Sequence, residues 1–127
     1  MFLLRRLSRH NHDFYELLGP VFGSREIAKQ VGIHVYDDED KAFYVAEADG
    51  LRLAGLVSSR AGLVSDCYVF PEFRRRGALR ALLTFATLEP RDYRANCTAM
   101  SIGAFLEQGF TPVRVTKNFT YVEKKNA

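Results

Sequence analysis

The stretch VFPEFRRRGALRALL, residues 69–83, decides how this chain reads. Tyr68, Val69 and Phe70 are β-branched or aromatic and predict the end of a strand, which Pro71 stops by removing a ladder donor. Beyond the turn, Ala78, Leu79, Ala81, Leu82, Leu83, Phe85 and Ala86 give an apolar-rich helical run with Arg80 as its exposed break. Gly77 stands in the first turn, where the missing side chain lets the backbone approach a ligand closely. A helix N-terminus leaves N–H groups unbonded, and its dipole favours negative charge. With Arg74, Arg75 and Arg76 in the same turn, the combination has the chemistry of a phosphate cradle. For RRRG taken alone, a solvated basic turn is the plain alternative.

Hydrophobic residues make up 47% and charged residues 26% of the 127, an ordinary globular composition able to bury a core without disulfides. A single domain over residues 1–127 is expected. No apolar run approaches the length that spans a bilayer. The start, MFLLRRLSRH, is arginine-rich, but its apolar run Phe2–Leu4 is too short for a secretory core, so a first strand is expected there. The two cysteines, Cys67 and Cys97, lack metal-ligand spacing and fall in apparent strands. Buried free thiols in a reducing, cytoplasmic setting are expected, with no metal. The net charge of +3 suits a phosphorylated cofactor and falls short of a nucleic-acid signature.

Outward from the central stretch, Phe2–Leu7 reads as a strand. His10-Asn11-His12-Asp13 offers capping side chains before FYELLGPVF, a short helix ended near Gly19-Pro20. Ser24 caps REIAKQV and Gly32 closes it. His34-Val35-Tyr36 leads into the acidic turn Asp37–Asp40, read as solvated. AFYVAEA (Ala42–Ala48) and RLAGLVSSR (Arg52–Arg60) flank Asp49-Gly50, the strongest hairpin signal in the chain. Arg60-Ala61-Gly62 turns into LVSDCYVF (Leu63–Phe70). After the central helix come a strand at Tyr93–Cys97 and a helix at Ser101–Gln108 with Ile102, Phe105 and Leu106 facing the core. Two last strands, Phe110–Val115 and Phe119–Val122, enclose a short turn at Lys117-Asn118.

Val-x-Pro-Glu-aromatic-Arg-x-x-Gly, opening an Ala/Leu-rich helix, resembles motif A of the GNAT acyltransferases. AFLEQGF (Ala104–Phe110) is similar to that family's FYEKLGF helix end, and the order β–α–α–β–β–β–α–β–α–β–β matches its layout. The resemblance implies an α/β fold with a mostly antiparallel sheet of about six or seven strands, splayed between the fourth and fifth, and about four helices. It also implies transfer of the acetyl group of acetyl-coenzyme A (acetyl-CoA) to a primary amine. In the family, Arg74, Arg75, Arg76, Gly77, Ala78 and Leu79 fall on the turn whose main-chain N–H groups hold the coenzyme pyrophosphate. Leu79 departs from the usual Gly or Ala. Cys67, Tyr68 and Val69 become main-chain partners of the pantetheine and thioester, and Thr98 takes the place of an asparagine that touches the coenzyme.

The reaction so implied needs a base for the attacking amine, donors for the developing oxyanion and an acid for the leaving thiolate. The family's acid, a tyrosine, aligns with Phe105, which cannot donate a proton. Ser101, one turn earlier, is the substitute, with Tyr93 a further candidate. Asp66 is the candidate base or water-orienter, with an exposed strand carboxylate as the plain reading, and Glu47 is a further option. The short turn at Lys117-Asn118 implies an open acceptor site, suited to an amine such as a protein lysine. An Arg76→Glu change is expected to weaken the cradle. Two other functions compete. One is a GNAT-fold protein that binds coenzyme A (CoA) or a protein partner without acyl transfer, which the departures at Leu79, Thr98 and Phe105 keep open. The other is a nucleic-acid-binding domain, which lacks any recognition-helix pattern. The sequence gives no signal that separates monomer from homodimer.

Overall fold

The computed structural model describes residues 2–32, 35–49 and 52–126. The chain runs β1 (Leu3–Leu7), α1 (Phe14–Phe22), α2 (Arg25–Val31), β2 (Ala42–Ala48), β3 (Arg52–Arg60), β4 (Leu63–Val69), α3 (Ala78–Ala86), β5 (Tyr93–Cys97), α4 (Ile102–Glu107), β6 (Thr111–Val115) and β7 (Thr120–Lys124). A 3-10 turn at Pro71–Phe73 joins β4 to α3. The order is the expected one. Gly50 of the expected hairpin turn and His34 lie outside the described residues, but β2 and β3 do pair antiparallel from Ala42↔Ser59 to Ala48↔Arg52.

The strands form one seven-stranded mixed sheet in the order β1-β2-β3-β4-β5-β7-β6. Only β4 and β5 are parallel, and they are paired at Leu63↔Arg94 and Val64↔Ala95 alone. Beyond those two pairs the strands part, which is the expected splay. On its other side β4 is bonded to β3, with a bulge: Leu56 faces Tyr68 and Ser58 faces Ser65, so Asp66 and Cys67 together oppose Val57. Asp66 absorbs the extra residue with φ of 56°, in the left-handed region.

Helices cover both faces of the sheet. Phe14, Leu18 and Val21 of α1 and Ile27 of α2 pack on Phe43, Val45, Leu56 and Tyr68. On the other face Leu82, Leu83 and Ala86 of α3 and Phe105 of α4 pack on Val57, Val64, Ala95 and Val122. The bulge therefore changes which face β4 presents, since Val64 and Tyr68 lie in opposite cores. β6 is an edge strand with all five residues exposed.

Three local expectations need correction. α1 continues through Gly19-Pro20 to Phe22 and stops at Gly23; Pro20 removes one N–H, and burial of Val21 outweighs that loss. Asp13 makes no side-chain cap because its carboxylate accepts from Arg5 Nη2 at 2.9 Å. Leu106 is 45% exposed, since this six-residue helix turns only a narrow strip, Phe105 above all, to the core. The acidic turn is solvated as expected, with Asp40 68% exposed, and also makes surface contacts: Asp37 accepts from the Tyr15 hydroxyl, and Asp38 and Asp40 pair with Arg60. Among the described residues no helix is long and apolar enough to cross a membrane, and no cluster of three or more His, Cys, Asp or Glu could hold a metal ion.

Candidate functional site

A cavity of about 800 Å³ runs from the start of α3 to the splay. It begins at the basic turn. Arg75 and Gly77 both have positive φ, 64° and 82°, so successive N–H groups of this turn face outward around a hollow. Gly77 is the N-cap of α3 without a side-chain cap, and Ala81 N–H is the first in the helix to find a bond, to Gly77 O at 3.0 Å. A Cβ built on Gly77 meets nothing within 4 Å. Open space over unbonded donors at a helix dipole's positive end is what a phosphate needs.

The cavity takes in every residue expected to touch the cofactor, namely Cys67, Tyr68, Val69, Arg74, Arg75, Gly77, Ala78, Leu79 and Thr98, with the exception of Arg76. The Arg76 guanidinium instead sits over the Phe73 ring, 5.8 Å from its centroid. Arg74 also turns inward: Nε donates to Val69 O at 2.8 Å and Nη2 to Gln30 Oε1 at 2.6 Å, pinning the end of β4 to α2. Arg75 is the arginine of the trio left free to meet a ligand, exposed and on the cavity wall. Leu79 lines the cavity and is half-buried against the core.

At the splay, Thr98 and Ser101 close the cavity together. Ser101 Oγ accepts from Thr98 N–H at 3.2 Å, and the Thr98 carbonyl accepts from Ile102 N–H at 3.1 Å. Thr98 thus bonds the start of α4 through its carbonyl. Phe105 is core, edge-on to Phe110 at 5.0 Å. Tyr93 lies away from this cavity and donates its hydroxyl to Glu89 O at 2.8 Å. Glu47 is buried against Arg5 and reaches neither this cavity nor the next.

Cys67 is half-buried on the cavity wall and Cys97 is buried; both are free thiols. Burial, with smaller contributions from Cys97 and Asp66, pushes the Cys67 thiol well up, and burial pushes Cys97 up to about 12. Both stay protonated near neutral pH. A soluble disulfide reagent at about pH 8 is expected to react with the folded protein roughly tenfold or more slower than with free cysteine, and at full speed once denaturant exposes both thiols. Fast reaction of the folded protein would mean that the β4 wall opens to water.

A second cavity, of about 550 Å³, lies on the α1/α2 face. Neighbouring residues line the two: Cys67 and Thr98 the first, Ser65, Asp66 and Asn96 the second. Asp66 is 2% exposed, whereas an open strand carboxylate was the plain expectation. Its Oδ2 accepts from Lys41 Nζ at 2.8 Å and from Ser58 Oγ at 2.6 Å, and its Oδ1 is buried with no hydrogen-bond partner. Gly32, with φ of 100°, shapes one wall, since a Cβ there would stand 2.9 Å from the Phe119 ring. Sequence reasoning missed Lys41, Arg94 and Asn96. The alternation of YRANC could have placed Arg94 and Asn96 together opposite the core face, but Lys41 carried no signal.

No protein-family model and no curated protein matches the sequence. Solved structures do match. A GNAT-family acetyltransferase from Staphylococcus aureus superposes with a TM-score of 0.64 at 12% identity, over 98% of this chain and 100% of that one. The PaiA N-acetyltransferase from Thermoplasma acidophilum, solved in complex with coenzyme A, gives 0.62 at 16% identity over 98% and 99%. Nourseothricin acetyltransferase gives 0.58 at 26% identity over 74% of this chain and 70% of its own. These superpositions cover nearly all of the chain, which has the GNAT acyltransferase fold, with its seven-stranded sheet and a single parallel pair at β4–β5.

Proposed function

We propose that this chain is a one-domain N-acyltransferase that moves the acetyl group of acetyl-CoA to a primary amine. The observation that carries the reading is that neighbouring residues at the splay line two cavities, one reaching the basic turn before α3 and the other with the buried Asp66 carboxylate in its wall. The residues fit the coenzyme, because the hollow over Gly77 is bounded by free N–H groups and Arg75. When bound, the coenzyme supplies the acyl group as a reactive thioester. The turn from Arg75 to Leu79 holds the phosphates through main-chain donors. Past the two bonded pairs, the edge of β4 that faces the splay offers main-chain groups of Cys67 to Val69 to an extended ligand. Asp66 Oδ1, unpartnered and at the seam, receives or orients the amine's proton. Ser101 is the hydroxyl placed to donate one.

A second reading, a protein that binds the coenzyme without transfer, is favoured by Phe105 in the core and by the Ser101 hydroxyl already bonded to Thr98. Calorimetric titration with acetyl-CoA, followed by thiol release in the presence of amines, separates the two. Micromolar binding is expected. Arg75→Glu is expected to weaken it by about 1–3 kcal/mol, the worth of a charge-assisted contact. Arg76→Glu is expected to cost less than Arg75→Glu, because its guanidinium already rests on Phe73. No binding up to millimolar concentration would remove the cradle from this turn. Binding without release for any amine would leave the second reading.

A further inference from the structure

The second cavity carries an unbalanced charge. Asp66 is matched by Lys41, and Arg60 by Asp38 and Asp40 at 3.4 and 3.1 Å. Arg94, also on this wall, is not matched. The one hydrogen bond of its guanidinium among the described residues is from Nη1 to Ala61 O at 3.3 Å. Glu123 stands opposite it on β7, but pairs with Lys125 at 3.7 Å and forms no ion pair with Arg94. A guanidinium carries five N–H donors in a fork that fits a carboxylate or phosphate, and most of those of Arg94 are open.

Position makes this informative. Arg94 sits at the last bonded pairs of β4 and β5, and Asn96, two residues on along the same face, sits where the strands have parted. Two strand residues span about 7 Å. At the parted end, the buried Oδ1 of Asp66 lacks a donor. The cavity wall thus carries an exposed guanidinium with no ion-pair partner, Arg94, and a carboxylate with one unpartnered buried oxygen, Asp66, next to the seam through which an acyl group would arrive.

We propose, resting on the acyl-transfer reading above, that the acceptor is a primary amine bearing its own anionic group, carboxylate or phosphate, roughly 6–10 Å from the nitrogen. The anion sits on Arg94 and the amine between Asp66 and Asn96. The amine nitrogen bonds to the acyl carbon as the carbon–sulfur bond breaks. The nitrogen gives up one proton, toward Asp66 Oδ1, and the thiolate gains one, so no further reactant is needed. A diamine would instead put its second ammonium beside Arg94, like charge against like.

The test is acetyl-CoA-dependent thiol release with matched acceptors: 4-aminobutyrate and 5-aminopentanoate, their uncharged amides, 3-aminopropyl phosphate, and 1,4-diaminobutane. The anionic members are expected to exceed the amides and the diamine by at least tenfold in kcat/KM. In R94Q that ratio is expected to fall to about one, and in R94K to be partly kept. Calorimetry with coenzyme A should give wild-type affinity for both variants, showing that each is folded. The better of carboxylate and phosphate identifies the anion. Amides or the diamine used as well as the carboxylates, or a ratio unchanged in R94Q, would overturn the proposal. So would a coenzyme-binding protein that turns over no member of the set. Failure to bind coenzyme A at all would instead strike the acyl-transfer reading, and this proposal with it.

Discussion

Replacing Gly77 by valine is expected to weaken coenzyme A binding by roughly a hundredfold or more, from the loss of about two charge-assisted hydrogen bonds. Gly77 has φ of 82° at the N-cap of α3, and its missing Cβ leaves open space over the unbonded N–H groups. A branched side chain fills that hollow and pushes a phosphate off its donors. The same change strains the folded state, because left-handed backbone costs a β-branched residue about 1–2 kcal/mol. Melting temperature and affinity therefore both fall, and they must be read apart. Gly77→Ala carries most of the strain with less filling, and is expected to melt much like the valine variant while keeping more affinity. Calorimetric titration with coenzyme A beside thermal melts makes the comparison. Valine-variant binding within a factor of three of wild type would move the phosphate site away from this turn.

Lys41→Met is expected to destabilise the protein by about 3–5 kcal/mol, the usual consequence of stranding one partner of a buried ion pair. The two side chains are 9% and 1% exposed, and Lys41 Nζ also donates to Tyr36 O at 3.0 Å. With methionine at position 41, Asp66 keeps only the Ser58 hydroxyl. The double change Lys41→Met with Asp66→Asn removes the stranded charge and is expected to regain most of the loss. Urea unfolding checks both variants, with an unchanged denaturant slope showing that the unfolded reference has not moved. A single-variant loss under about 1 kcal/mol would mean that water already reaches Asp66. Because Asp66 forms the bulge of β4, the proposed acyl transfer should suffer with stability in the single variant.

These two sites mark what could be read from the residues and what could not. Val69 to Leu83 announced strand, turn and helix correctly, because Pro71, Gly77 and the apolar run each act locally. The hairpin at residues 42–60 and the cap at Ser24, whose hydroxyl accepts from Ile27 N–H at 3.1 Å, were legible for the same reason. The direction of each arginine was not. Arg75 and Gly77 take positive φ, and that choice turns Arg75 toward the cavity while Arg74 folds inward and Arg76 lies over Phe73. Three identical letters conceal three roles.

Asp66 was misread as open to solvent through a different cause. Strict alternation along LVSDCYV groups residues 64, 66 and 68 on one face, but one bulged residue breaks the parity and sends Asp66 to Ser58 and Lys41. Lys41 arrives from a loop before β2, a partnership of 25 positions' separation that no local pattern encodes. Arg94 and Asn96 differ again. Their alternation with Tyr93, Ala95 and Cys97 was visible, but their meaning depends on a cavity that exists only once β4 and β5 part.

That parting divides the chain cleanly in sequence. Everything before α3 that is strand lies on one side of it, and everything after lies on the other. Two bonded pairs and the packing of α3 are what stitch the halves within the sheet. Such an arrangement favours opening in two consecutive cooperative units, with the break along the seam. A molecule lying in the seam would then act as an extra strand shared by both units, raising their joint stability as its concentration exceeds its dissociation constant. On this view the protein without such a molecule is looser as well as unoccupied.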